Sequence, residues 1–186
     1  MIPRRILVPL FLLAAWAGCS DAPDLRILGA RADLINTNGV KIGDVQLAER
    51  EKEPGVTLRL QAWSLPAGIH GFHIHDSGRC DTPEFGLTGG HFNPTGKKHG
   101  LKNPDGPHAG DLPNLLVPES GKVDITLSIL GVTLKPGPNS LLKPGGTSLV
   151  IHALPDDEVT DPAGNSGPRI ACGIIRSTAA PEIEAR

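Results

Sequence analysis

Tyrosine is absent from this 186-residue chain, and other aromatics are few, with four Phe and two Trp. Charge of one sign is missing as well. Lys and Arg total 18 against 20 Asp and Glu, for a net charge of -2. That excludes nucleic acid as a main partner, because counterion release needs many clustered cations. The only cationic cluster of note is Lys97-Lys98-His99, with Lys102 nearby. No apolar run reaches the roughly 20 residues that a membrane-spanning helix needs. There is no internal repeat, low-complexity block or heptad pattern, so solenoids and coiled coils are excluded.

What is present begins with a targeting segment. Arg4 and Arg5 give a basic start, and Ile6–Ala17 is an apolar run with Pro9 inside it. Gly18, Cys19 and Ser20 follow, completing the basic, apolar, small layout of a secretory signal. Ala17-Gly18-Cys19 is similar to the lipobox of bacterial lipoproteins, with Trp16 where a Leu is usual. In those proteins the cysteine is diacylated and becomes the new N-terminus. Plain cleavage near the same place is the alternative. The expected organisation is a signal over residues 1–18, a tether over 19–28, one domain over 29–177 and a tail over 178–186. The expected location is the periplasm or cell envelope, with a membrane met only through a lipid on Cys19. Three cysteines are an odd number for an exported chain. If Cys19 carries lipid, Cys80 and Cys172 remain as a pair in an oxidising compartment.

Gly (23) and Pro (18) are frequent but stay below the roughly 25–30% that marks low complexity. Alternating apolar segments between turn signals read as short strands. They are Arg31–Ile35, Val40–Ala48, Val56–Trp63, Ile69–His75, Val123–Leu130, Ser148–His152 and Arg169–Ile175. The stretch Asp76–Leu116 has no sustained periodicity and is too long for an ordinary connection. Asp156–Pro168 is a second long loop. The predicted fold is all-β, a Greek-key β-sandwich or barrel with two long functional loops.

Histidine is concentrated where the strands and loops meet. His73 and His75 are two apart on a strand, so both leave the same face. His91, His99 and His108 lie in the first long loop, and Asp111 follows His108 by three. His152 ends the apolar strand Leu149-Val150-Ile151. Imidazole suits copper and zinc, and a lone carboxylate completes a zinc site well. Six His and one Asp supply seven ligands, whereas two four-coordinate sites need eight. One imidazole shared through its two nitrogens would close the gap. His70 has the opposite strand parity from His73 and His75 and reads as a core histidine or a support behind the ligands.

These motifs resemble the copper/zinc superoxide dismutases. The similarity rests on Gly71-Phe72-His73-Ile74-His75, Gly90-His91-Phe92-Asn93-Pro94, Lys98-His99-Gly100, His108-Ala109-Gly110-Asp111, Leu149-Val150-Ile151-His152 and Arg169-Ile170-Ala171-Cys172-Gly173. It covers roughly Ala30 to Ile175. The resemblance implies an enzyme that converts superoxide to O₂ and H₂O₂, with copper and zinc as cofactors. It places copper on His73, His75, His91 and His152, and zinc on His91, His99, His108 and Asp111. His91 is then the shared imidazole and a proton donor. Asp156 matches an acid that ties His73 to His99, and Arg169 matches the arginine that docks the anion beside copper. Cys80 and Cys172 match the family's disulfide, which in the chain-entropy model is worth on the order of 4–5 kcal/mol.

Two features depart from the family pattern. The loop from Ala153 to Pro168 is short and holds Asp156, Asp157, Glu158 and Asp161 without a Lys. Steering of the anion is therefore expected to rest on Arg169, the metals and Lys97, Lys98 and Lys102. Ala163 falls where many relatives carry a Thr at the channel mouth. The alternative function is a copper chaperone or metal buffer on the same fold, though such relatives lack some copper ligands or the arginine. The sequence leaves the oligomeric state open.

Overall fold

Alternation builds the frame. In β3 (Val56–Ala62), Val56, Leu58, Leu60 and Ala62 are buried, while the residues between them are more exposed. β1 (Ile27–Asn36) buries Ala30, Ala32 and Leu34, and β2 (Lys41–Arg50) buries Val45 and Leu47. Antiparallel register brings these faces together, with Ala32 opposite Val45 and Val45 opposite Leu60. β3 then pairs with β7 (Val123–Ile129). Fully burying one such Leu side chain is worth about 1.5–3 kcal/mol. The structure is a computed structural model, and it describes residues 27–178. Cys19, the signal segment and the greater part of the expected tether and tail lie outside the described residues.

The sheet order is β5 (Phe72–His75), β8 (Ser148–His152), β9 (Arg169–Ile174), β1, β2, β3, β7, and β10 (Arg176–Ser177) pairs with β1. A two-stranded ribbon joins β4 (Gly68–His70) to β6 (Leu115–Val117). The chain leaves the β3 edge to make β5, returns to add β7 beside β3, then crosses again to place β8 between β5 and β9. These crossovers give the Greek-key, all-β architecture expected from the sequence.

Three boundaries differ from expectation. β1 starts at Ile27, inside the expected tether, because Ile27 and Leu28 extend the ladder opposite Arg50 and Glu49. The strand expected over Ile69–His75 is broken at Gly71. There the backbone turns to Leu154 and His152, and an added Cβ would lie 2.6 Å from Ser166 Oγ. β6 lies at the edge of the expected first loop, since three residues are too few to show a period.

β5 and β8 carry the feature that matters for function. All nine residues of these two strands are buried, because both faces are covered. Phe72, Ile74, Leu149 and Ile151 enter the barrel core. Val150 turns to the opposite side, into a small cluster with Phe85, Cys172, Ile35 and Cys80. His73 and His75, alternating with the core residues, also face that side, which the two long loops cover.

Candidate metal centre

Strand parity, two loops and one disulfide assemble the histidines. The bridge joins Cys80 to Cys172 with Cα atoms 5.7 Å apart, fastening the first loop to β9. Isolated bridges pair His75 with His91 and His73 with Asp111, so the loop is laid along β5. Two groups result, His73-His75-His91-His152 and His91-His99-His108-Asp111. Within each group one ligand atom per residue lies within 4.8 Å of the others. His91 belongs to both.

In the first group, hydrogen bonds on the far side of each ring fix which nitrogen points inward. His75 Nδ1 donates to the Gly89 carbonyl at 2.9 Å, and His152 Nδ1 donates to the Gly167 carbonyl at 3.0 Å. His73 Nε2 donates to Asp156 Oδ2 at 2.7 Å. A neutral imidazole has only one N–H. The inward atoms His75 Nε2, His152 Nε2 and His73 Nδ1 are therefore bare lone pairs. The two Nε2 atoms face each other at 3.3 Å. With His91 Nε2, four bare nitrogens converge, an arrangement well suited to a bound cation.

The second group converges on a carboxylate. Asp111 Oδ1 lies 2.7 Å from His91 Nδ1, 3.1 Å from His99 Nδ1 and 3.2 Å from His108 Nδ1. The His108 contact is close but is not aligned as a hydrogen bond. Asp111 Oδ2 accepts the backbone N–H groups of Gly100 and His108, at 2.9 Å each. Asp156 spans the two groups, taking His73 on one oxygen and His99 Nε2 on the other at 3.0 Å. Gly164 has φ +60°, and any side chain there would collide with Asp156.

A test of fit comes from unpaired atoms, since buried polar groups are rarely left without a partner. Four such side-chain atoms occur among the described residues, and three are His73 Nδ1, His91 Nε2 and His108 Nδ1. The fourth is Ser148 Oγ. The residues thus fit two metal ions, one in an all-imidazole set and one in a set of three imidazoles and a carboxylate.

Residues 41–175 match the family profile described as copper/zinc superoxide dismutase (SODC). A relative from Aquifex aeolicus, Superoxide dismutase (Cu-Zn) 2, is 54% identical over 151 residues, 80% of this chain and 87% of its own. The chain belongs to the copper/zinc superoxide dismutase family. Superoxide dismutase-like protein YojM from Bacillus subtilis is 42% identical, covering 92% of this chain and 95% of its own. A crystal structure of a SOD-like protein from Bacillus subtilis superposes with a TM-score of 0.75 at 42% identity, over 79% of this chain and 98% of that one.

The family's redox metal needs an open face, and a cleft supplies it. A cleft of about 480 Å³ is lined by His75, His91, His152 and Arg169, with Ala163 and Pro162 at its side. It adjoins a hollow of about 640 Å³ that shares His152, Ala163 and Arg169. Arg169 is held by both arms of its fork, Nη1 to the Phe85 carbonyl at 2.8 Å and Nη2 to the Gly89 carbonyl at 2.9 Å. Burial lowers its pKa from the usual value. A guanidinium still stays charged at any working pH.

The electrostatics of the metal-free protein separate the two groups. Burial pushes His73 down to about 4, His152 to about 3 and His75 to about 2, so all three rest neutral. Burial also acts on His99, but its hydrogen bonds to Asp111 and Asp156 outweigh it and raise His99 to about 9. His99 is thus a cation between two carboxylates. Burial of Asp111 and Asp156 opposes their ionisation, yet their histidine partners hold both well below the usual carboxylate range.

One expectation needs correction. Lys98 pairs with Asp161 at 3.0 Å and Lys102 with Glu158 at 2.7 Å, so neither is a free steering cation. The acids of the second loop are committed likewise. Asp157 caps its own turn at the Val159 and Thr160 N–H groups, and Asp161 also accepts the His99 N–H. His70 is buried, with one ring nitrogen 2.8 Å from the His152 carbonyl and the other 3.0 Å from the Pro66 carbonyl, a support behind β8 as expected. Sequence reasoning missed Asn114, which clamps the Asp156 backbone through both amide atoms. It also missed the carbonyls of Phe85, Gly89 and Gly167, which no residue type could have flagged.

Proposed function

We propose that this chain converts superoxide to O₂ and H₂O₂, with copper held by His73, His75, His91 and His152 and zinc held by His91, His99, His108 and Asp111. The observation that carries this is the convergence of four bare imidazole nitrogens on an open cleft beside a fixed guanidinium. Four imidazoles suit copper, and a set with one carboxylate suits zinc. A copper ion held there would supply one-electron redox chemistry, oxidising one superoxide and reducing a second. Arg169 docks each anion at the mouth of the cleft. His91 is the proton carrier: its Nδ1 side is fixed, so the ring keeps its place while Nε2 gains a proton and passes it to the peroxide product. The second proton comes from water.

The alternative, a copper chaperone or metal buffer, is disfavoured by Arg169. A store has no use for an anion-docking charge at its open face. The deciding experiment measures superoxide turnover in protein loaded with both metals, stripped of copper, and reloaded. Turnover that vanishes and returns with copper supports the enzyme, and turnover indifferent to copper overturns it.

The disulfide agrees with an oxidising compartment. We place the mature protein in the cell envelope, tethered by a lipid on Cys19 after removal of residues 1–18. Mass spectrometry of the mature N-terminus tests this. A diacylated Cys19 supports it, and a soluble chain starting at Ser20 or later contradicts it.

A further inference from the structure

The short turn before His91 holds a polar hub that the family motifs do not mention. Phe85 stands at φ 52°, a left-handed conformation unusual for a bulky residue. Its ring is fully buried with Val150, Cys172 and Cys80, which anchors it against the disulfide. Its carbonyl therefore has a fixed direction, and it accepts from two side-chain donors. These side-chain donors are Arg169 Nη1 at 2.8 Å and the Thr88 hydroxyl at 3.0 Å, and the Thr88 backbone N–H donates as well at 3.2 Å.

Thr88 is fully buried, and its Oγ1 also lies 3.2 Å from His75 Nδ1. A hydroxyl has one proton to donate. Because Thr88 donates that proton to Phe85, it can only accept from His75. The His75 Nδ1–H is then shared between Thr88 Oγ1 and the Gly89 carbonyl. Gly89 in turn accepts from Arg169 Nη2. Arg169 and His75 thus share the Gly89 carbonyl, and the Thr88 hydroxyl links His75 to the Phe85 carbonyl that Arg169 also holds.

We infer that Thr88 is a positioning residue for His75: its hydroxyl, turned by the Phe85 carbonyl, holds the proton on Nδ1 and keeps Nε2 bare towards the cleft. This rests on the reading that His75 binds copper. Were the hydroxyl free to rotate, it could donate to Nδ1 and favour the wrong tautomer. Supports behind a metal-bound histidine commonly change metal affinity by 10–100-fold.

The test compares Thr88→Val, which keeps the shape and loses the hydroxyl, with Thr88→Ser, which keeps the hydroxyl. Copper affinity is read by competition with a chelator, and the Cu(II) electron paramagnetic resonance spectrum is recorded. Zinc content serves as the fold control. Thr88→Val should weaken copper binding by about ten-fold and alter the spectrum, with zinc unchanged, and Thr88→Ser should match wild type. Wild-type affinity and spectrum in Thr88→Val overturn the inference, as does a Thr88→Ser variant as weak as Thr88→Val. Should Thr88→Val not fold, nitrogen NMR of His75 in the metal-free wild type decides. A proton on Nδ1 supports the inference, and one on Nε2 overturns it. His75→Ala separates the two readings. If it keeps copper, the ligand assignment is wrong. If it loses copper while Thr88→Val does not, only the role of Thr88 falls.

Discussion

His73, His75 and His152 stand on β5 and β8, where ladder hydrogen bonds and core packing fix the backbone from both sides. His99, His108 and Asp111 stand on a loop with no ladder of its own. There a single carboxylate does the organising, gathering three imidazoles on one oxygen and two backbone N–H groups on the other. The strand-borne half is neutral and preformed, whereas the loop-borne half is charged and held together by its own ligand. Geometry set by a sheet should survive loss of its metal. Geometry set by Asp111 should not survive loss of Asp111.

The largest expected effect breaks the strand-borne half. His152→Ala removes one of four bare nitrogens without touching Asp111. Copper binding and superoxide turnover should fall roughly a hundred-fold or more, while zinc content stays near wild type. Parallel loss of zinc would show that the halves do not assemble independently.

Asp111→Ala should break the loop-borne half next. Zinc affinity should drop far more than copper affinity, since copper keeps its four imidazoles. The loop also loses the acceptor for the Gly100 and His108 N–H groups, and His99 loses one of its two carboxylates. A lowered melting temperature should follow, and calorimetry with metal analysis checks both effects. Equal loss of the two metals would contradict the assignment.

The sequence made the strand-borne half more legible than the loop-borne half. The spacing of His73 and His75 placed both rings on one face from parity alone, and His152 at the end of an apolar strand was readable in the same way. The residues of the loop-borne set were also visible as candidate ligands from their type and clustering, but only the resemblance divided the ligands between two metals, because a loop has no period from which to deduce direction. The field around the site was misjudged for a related reason. A run of acids without Lys reads as repulsive until tertiary contacts show Lys98 and Lys102 neutralising two of them and Asp156 buried between two histidines. Backbone acceptors such as Gly89 and Gly167 were invisible, since every residue has a carbonyl. The break at Gly71 was missed because its cause, Ser166, comes from a loop far along the chain.

A smaller effect is expected from Arg169, which serves the cleft without holding metal. Arg169→Glu should slow turnover about ten-fold or more at every ionic strength, because contact attraction is screened less than attraction beyond a Debye length of about 10 Å at 0.1 M. Arg169→Lys should lose less, since charge remains, but lysine cannot hold the Phe85 and Gly89 carbonyls together. With Lys98 and Lys102 already paired, salt should change the wild-type rate only mildly. Stopped-flow or pulse-radiolysis rates with metal analysis provide the check.

The smallest effect sharpens the electrostatic contrast. His73, His75 and His152 have pKa values depressed on folding, so the stability they lend is present above about 6.5 and is lost as pH falls towards about 4, 2 and 3. His99 is raised, so its contribution is full below about 6.5 and disappears as pH rises through about 9. Metal-free protein should therefore melt highest at about pH 6.5, falling on both sides by a few degrees per unit. Melting unchanged from pH 7 down to 5 would remove the neutral histidines from the account.

The central claim is that His91 belongs to both halves at once. It is tested most directly by placing copper(II) in the strand-borne site and cobalt(II) in the loop-borne site. A single imidazole joined to both ions couples their spins, so the copper resonance should disappear in the mixed-metal protein and return when the cobalt is replaced by zinc. A copper resonance of full intensity with both sites verified as occupied would mean that His91 does not bridge them.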